Sequence, residues 1–67
     1  MKIERTATGT FLLHASADEM LLLNNAVNEI CHGLEVPEFE IRIGVSLAEA
    51  QSVLREIGKA LDRNVLN

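Results

Sequence analysis

The sequence predicts a small α+β domain: an N-terminal β-hairpin, or a single strand, followed by three helices. Residues 2–15 are rich in Thr, Ile, Phe and Leu in rough polar–apolar alternation, which is typical of strands. Residues 16–33 and 47–63 instead repeat apolar residues at three- and four-residue spacing, which indicates amphipathic helices. Because the chain has only 67 residues, we expect one domain spanning residues 1–67, with the last two helices in a helix-turn-helix-like arrangement.

The N-terminal segment favours a hairpin, although one long strand remains an alternative. Gly9 suits the positive φ that a three-residue loop at residues 7–9 requires, with strands at about 2–6 and 10–15. Alternation then predicts that one set of side chains, Ile3, Phe11 and Leu13, faces the helices, and that a second set, Glu4, Thr10, Leu12 and His14, points away.

An isolated hairpin has two unpaired edges and rarely forms a stable sheet. A chain this short also buries a limited core, and its single cysteine excludes an internal disulfide. Pairing with the hairpin of a second copy would solve both problems. The sequence therefore predicts a homodimer.

Residues 16–33 form the predicted central helix. Ser16 and Glu19 have the spacing of a capping box, and Gly33 stands where a helix often ends in a left-handed residue. The apolar stripe expected to face the core is Met20, Leu23, Ala26, Val27, Ile30, Cys31 and Leu34.

The opposite face of this helix carries an unusual set of residues. Asparagine is a poor helix former, yet three asparagines occur within residues 24–28. One interpretation is a solvated face; the other is a contact surface for a second copy or another protein, because amides both donate and accept hydrogen bonds. The predicted partner-binding residues are Leu21, Asn25, Asn28 and His32, beside Asn24, with Leu12 and His14 as a possible extension.

The C-terminal half predicts a short helix and a longer one. Pro37 favours a helix start and Gly44 an end, which gives a helix at about 37–43. A second capping box, Ser46 and Glu49, precedes a helix from Leu47 to about Arg63. Its predicted core stripe is Leu47, Ala50, Val53, Leu54, Ile57, Ala60 and Leu61, and residues 64–67 are expected to fray, with Val65 and Leu66 available to pack on a neighbour.

Two segments resemble known proteins. The segment PEFEIRIGVSLAEAQSVLREIGKAL resembles the second half of a helix-turn-helix unit, and LNNAVNEI resembles an L-N-N-A-x-N-E helix of small uncharacterised bacterial proteins, which implies no activity. The first resemblance implies an alternative function in DNA binding. Gln51 would then read a base edge, while Arg55 and Lys59, with Arg63, would contact phosphates. The same row of basic residues is also compatible with an ordinary solvated helix face.

Composition narrows the classes of partner, location and cofactor that remain. A net charge of −4 makes nucleic acid an unlikely partner and disfavours an anionic membrane. No apolar run approaches the roughly 18 residues of a membrane span, and no signal peptide is evident. The lone cysteine fits the reducing cytoplasm. Cys31 and His32 are sequence neighbours that a helix points in different directions, so we expect no metal site and no cofactor.

No spacing of Ser, His, Cys or acidic residues forms a catalytic motif, so we expect no enzyme activity. The sequence is interpreted as a small cytoplasmic bacterial protein-interaction or regulatory module that acts as a homodimer. The alternative is a DNA-binding regulator of the helix-turn-helix type.

Overall fold

A computed structural model describes residues 1–62, and it confirms the predicted α+β fold of a hairpin followed by three helices. The predictions for Arg63 and for residues 64–67 lie outside the described residues. The elements are β1 (Lys2–Arg5), β2 (Phe11–His14), α1 (Ala17–Asn28, continued by a π-helical turn at Glu29–Gly33), α2 (Phe39–Ile43) and α3 (Leu47–Leu61).

The two strands form an antiparallel hairpin, so the single-strand alternative is wrong. Gly9 has a φ of 87°, as the predicted loop at residues 7–9 requires. Glycine suits this position because a positive φ strains any residue with a Cβ. The Thr6 amide donates to the Thr10 carbonyl at 2.9 Å and closes the loop. Hydroxyl groups reinforce the closure: Thr6 Oγ1 lies 2.7 Å from Thr10 Oγ1 and 3.0 Å from Thr8 Oγ1.

The helices do not cover the apolar side of the hairpin, so this part of the prediction is wrong. Ile3, Phe11 and Leu13 all remain at least half exposed. Alternation identified correctly which residues share a face, because Ile3 is opposite Leu13 in the ladder. What alternation does not indicate is whether another element of the same chain reaches that face.

Helix α1 begins as predicted. The Glu19 amide donates to Ser16 Oγ at 3.1 Å, and the Ser16 amide donates to Glu19 Oε1 at 2.9 Å, which completes the capping box. This reciprocal pair satisfies two amides that the first turn of a helix otherwise leaves without partners.

The end of α1 differs from the prediction. Gly33 does not adopt a positive φ; it lies within the π-helical turn, and the Leu34 amide donates to the Glu29 carbonyl five residues back at 2.7 Å. A Cβ on Gly33 would stand 2.5 Å from the carboxyl carbon of Glu29, so the glycine leaves room for that carboxylate. The glycine is therefore a point of close approach and not a left-handed cap.

Helix α2 begins later than predicted, at Phe39, because Pro37 belongs to a turn. Glu38, at the cap position, has a left-handed conformation with φ 53° and ψ 47°. Gly44 ends the helix as predicted, with a φ of 98°.

Helix α3 has half of the predicted capping box. The Glu49 amide donates to Ser46 Oγ at 3.1 Å, but the Glu49 carboxylate accepts from the Ser46 hydroxyl, also at 3.1 Å, and not from the Ser46 amide. The helix ends at Leu61, since Asp62 has an extended ψ of 106°.

The small core lies between α1 and α3, the two helices that pack most extensively on each other. Within residues 1–62, Ala50 is the only fully buried apolar residue, with 4% of its surface exposed. The α1 side of the core is half-buried and consists of Met20, Leu23, Val27, Ile30 and Cys31; the α3 side adds Leu54, Ile57 and Leu61. Five residues of the predicted stripes are exposed instead of buried: Ala26, Leu34, Leu47, Val53 and Ala60.

None of the helices within residues 1–62 combines the length and apolar character that crossing a bilayer requires.

Candidate interaction surfaces

The residues predicted for partner binding lie on one exposed side of α1. Leu21, Asn25, Asn28 and His32 are all exposed, whereas Asn24 is half-buried toward the core. The sequence analysis missed Leu22, whose side chain is 68% exposed and which projects beside Asn25 at about 100° per residue. We call Leu21, Leu22, Asn25, Asn28 and His32 the α1 face.

The centre of the α1 face is uncharged. Asn24 Nδ2 donates to Asn25 Oδ1 at a long 3.4 Å, and within residues 1–62 the side chains of Asn28 and His32 form no hydrogen bond. Two exposed leucines flank these amides. Such a surface offers apolar area together with hydrogen-bonding groups that need no charged partner.

His32 occupies the π-helical turn, which modifies its predicted position. A turn closed by hydrogen bonds between residues five apart rotates less per residue than an α-helical turn, so His32 moves back toward the azimuth of Asn28. Cys31 points to the core side and is half-buried. Among residues 1–62, no group of three His, Cys, Asp or Glu side chains is placed to hold a metal ion.

The hairpin has two different sides. Its apolar side carries Ile3, Phe11 and Leu13, with the Arg5 guanidinium 5.2 Å from the centre of the Phe11 ring. We call Ile3, Arg5, Phe11 and Leu13 the hairpin face.

The other side of the hairpin is polar apart from Leu12. Glu4 pairs with Lys2 at 3.0 Å and with His14 Nε2 at 3.3 Å. Leu12 is 52% exposed and directly opposite Glu4 in the ladder. Leu12 and His14, the suggested extension of the α1 face, therefore share the hairpin side that carries Glu4, and their part in partner binding stays a prediction.

One polar contact ties the hairpin end to α1. The Met1 ammonium donates to Glu19 Oε2 at 2.7 Å, so this carboxylate serves both the capping box and the chain terminus. Hydrogen bonding from the ammonium, together with the hydrogen bonds from the backbone and hydroxyl of Ser16, lowers the pKa of Glu19 from 4.5 to about 2. The contact fixes the position of β1 near the start of α1.

The residues of the DNA-binding alternative all lie on α3, but they differ in exposure to solvent. Arg55 and Lys59 are exposed, and Lys59 Nζ pairs with Glu56 at 3.0 Å. Gln51, the residue meant to read a base edge, is half-buried. The basic row is thus partly neutralised by Glu56.

Residues 1–62 enclose no pocket. Exposed apolar area on flat surfaces is instead the principal feature available for binding. Comparisons with known protein families, with curated protein sequences and with solved structures found no match.

Proposed function

We propose that this protein is a homodimeric protein-interaction or regulatory module without catalytic activity. The observation that carries the proposal is the exposure of its large apolar side chains. Thirteen of them within residues 1–62 have at least 37% of their surface exposed, against one fully buried alanine. Covering a large aliphatic or aromatic side chain contributes about 1.5–3 kcal/mol, so the isolated chain forgoes much of the stabilisation that its sequence offers. A second copy is always present at the concentration of the protein itself, which makes it the natural partner for such a surface.

Within this proposal, the α1 face binds another protein. Its leucines supply apolar area and its asparagines supply donors and acceptors without charge, and interface centres are depleted of charged residues. This contact would also explain why poor helix formers occur at Asn25 and Asn28. The free cysteine, Cys31, supports placing the protein in the cytoplasm, and the LNNAVNEI resemblance supports a bacterial source.

The native mass in solution is the first test. Light scattering across a range from low micromolar to millimolar protein should give the mass of two chains, with dissociation only at the dilute end. A mass of one chain throughout would contradict the homodimer.

A double variant tests the α1 face. We expect Asn25→Ala with Asn28→Ala to remove a protein partner that the wild type retains in an affinity capture compared band by band. Ser52→Ala is the control, because it also replaces a polar residue by alanine and raises helix propensity, but at an exposed position on α3. Equal capture by all three proteins would show that the α1 face is merely solvated.

The DNA-binding alternative has its own signature. It requires saturable binding to duplex DNA that weakens steeply with salt and is reduced by Arg55→Ala and Lys59→Ala. Binding of that kind would replace the present proposal, and its absence at low salt would remove the alternative.

A further inference from the structure

The two edges of the hairpin differ in charge. Strand β1 carries Lys2, Glu4 and Arg5, and charged residues of this kind protect an edge from pairing with other chains. Strand β2, Phe11–His14, has no acidic residue, lysine or arginine, and all four of its residues are exposed. Within residues 1–62, both edges of this two-stranded sheet lack a further strand, and β2 is the one without Asp, Glu, Lys or Arg to oppose pairing.

The backbone of β2 has hydrogen-bonding groups that point outward. The Thr6 amide bonds to the Thr10 carbonyl, and hydrogen-bonded and non-bonded pairs alternate along an antiparallel ladder. Leu12, two residues after Thr10, thus bonds to Glu4 of β1. The intervening residues Phe11 and Leu13 direct their amides and carbonyls away from β1.

We propose that a second copy of this chain pairs antiparallel with β2, so that two hairpins form one four-stranded sheet in the order β1–β2–β2–β1. The inference rests on the homodimer of the proposed function and specifies its interface. A two-stranded sheet is marginal in water, and a sheet with an apolar face needs three or more strands for independent stability. Because every molecule has the same incomplete sheet, a second copy satisfies both chains at once.

Symmetry restricts the register of this pairing. A two-fold axis perpendicular to the sheet keeps the hairpin face of both chains on the same side, so opposed residues must share a face. The register that keeps the pairing within the strand places Leu12 opposite Leu12 of the second chain. It also places Phe11 opposite Leu13, and this pair exchanges the two outward-pointing amide–carbonyl bonds.

This register is complementary in chemistry as well as in geometry. Apolar residues oppose apolar residues along β2, and directly opposed side chains lie about 4.5–5.5 Å apart at Cβ, close enough to exclude water from each other. No like charges are opposed within the paired segment. The hairpin face of each chain is extended by its neighbour into one continuous apolar surface.

Disulfide trapping tests the register. In a Cys31→Ser background, Leu12→Cys should form an intermolecular disulfide under mild oxidation, because a non-hydrogen-bonded opposed pair has a Cα separation of about 4.5 Å, within the range for disulfides. Leu34→Cys in the same background is the control. Its side chain is the same type and similarly exposed, 57% against 52%, but lies outside the hairpin.

Charge exchange tests the same contact without oxidation. Leu12→Lys should raise the dimer dissociation constant roughly tenfold or more, because it replaces an apolar pair by two opposed ammonium groups. Leu12→Glu should act similarly. Mixing the two variants should restore a heterodimer, whereas Leu34→Lys should leave the dissociation constant of the wild type unchanged.

The results of these experiments distinguish the proposed β2 interface from the existence of the homodimer itself. Trapping at residue 12 and recovery of dimer on mixing support the β2 interface. A wild-type dimer that persists with Leu12→Lys and gives no disulfide at residue 12 would overturn the inference and leave the homodimer intact. A wild-type monomer at every concentration would overturn both.

Discussion

At the scale of single residues, Glu38 adopts a backbone conformation that few residues other than glycine tolerate. It is the only non-glycine residue with a positive φ within residues 1–62. The left-handed conformation costs an L-residue about 1–2 kcal/mol, because Cβ approaches the following carbonyl oxygen. The position is fixed by its neighbours: the chain must turn after Pro37, and the Arg42 amide uses the Glu38 carbonyl at 3.1 Å.

We expect Glu38→Gly to raise the free energy of unfolding by up to about 1 kcal/mol, because relief of the left-handed strain outweighs the added freedom of the unfolded chain. Glu40→Gly is the control, since that residue lies within α2 and a glycine there should lower stability by about 1 kcal/mol. Urea unfolding at one protein concentration measures both. A loss of stability in Glu38→Gly would mean that the carboxylate itself stabilises the turn.

The lowered pKa of Glu19 gives a prediction with a defined pH window. A carboxylate whose pKa falls from 4.5 to about 2 on folding stabilises the folded state above pH 4.5, and this contribution disappears as the pH falls toward 2. Glu19→Gln keeps a residue that can complete a capping box but removes the charge.

We therefore expect wild type to be more stable than Glu19→Gln at neutral pH, with the difference vanishing between pH 4.5 and 2. Urea unfolding over pH 2–7 measures the difference, and an NMR titration of the Glu19 carboxyl group measures the pKa directly. A stability difference that does not change with pH would contradict the ion pair with the Met1 ammonium.

At the scale of elements, Gly33 and Gly44 occupy similar places in the sequence, because each stands at the end of a helical segment. The structure separates them: Gly44 has a φ of 98°, whereas Gly33 has no positive φ, and the atoms nearest to a Cβ at Gly33 belong to the flexible carboxylate of Glu29. We expect Gly44→Ala to lower the free energy of unfolding by about 1–2 kcal/mol. We expect Gly33→Ala to be neutral or slightly stabilising, because Glu29 can move aside and alanine favours helix.

Thermal or urea unfolding of the two alanine variants side by side provides the measurement. A larger loss for Gly33→Ala than for Gly44→Ala would mean that the close approach of Glu29, and not the backbone conformation, determines the need for glycine.

These elements show which structural features local sequence signals can predict. The Ser16 cap, the Gly9 loop and the Gly44 end were predictable, because each depends on a few neighbouring residues and a single conformational requirement. The π-helical turn was not, since nothing in the spacing of residues 29–33 distinguishes bonds five residues apart from bonds four apart. Strand alternation gave the two sides of the hairpin but not their exposure, which depends on contacts between distant parts of the chain.

The α1 face likewise has a part that the sequence predicts and a part that it does not. Helical periodicity placed Leu21, Asn25 and Asn28 together, and all three are exposed. The same periodicity places Leu22 at the flank of this polar stripe, where the structure exposes 68% of its surface. Whether the face binds a partner is a property of two molecules, and one sequence carries no information about the second.

At the scale of the whole molecule, stability and assembly should be inseparable. If the folded state gains free energy from association, the melting temperature must rise with protein concentration. We expect an upward shift for wild type between about 5 and 500 μM. Leu12→Lys should melt at a lower temperature that is nearly independent of concentration over the same range.

Differential scanning calorimetry or circular dichroism at several concentrations measures this shift, with Leu34→Lys as the control that should follow wild type. A melting temperature independent of concentration in wild type would show that the monomer alone accounts for the stability of the fold.

The three threonine hydroxyls at the hairpin tip have a consequence for the speed of assembly. Their hydrogen bonds, together with the loop closure at Thr6 and Thr10, hold the hairpin loop in one conformation within the isolated chain. In the proposed dimer, the loop would therefore lose no further conformational entropy when a second chain binds. Association should accordingly proceed in one bimolecular step at about 10⁵–10⁷ M⁻¹ s⁻¹, as for preformed surfaces, without a slow folding phase after encounter.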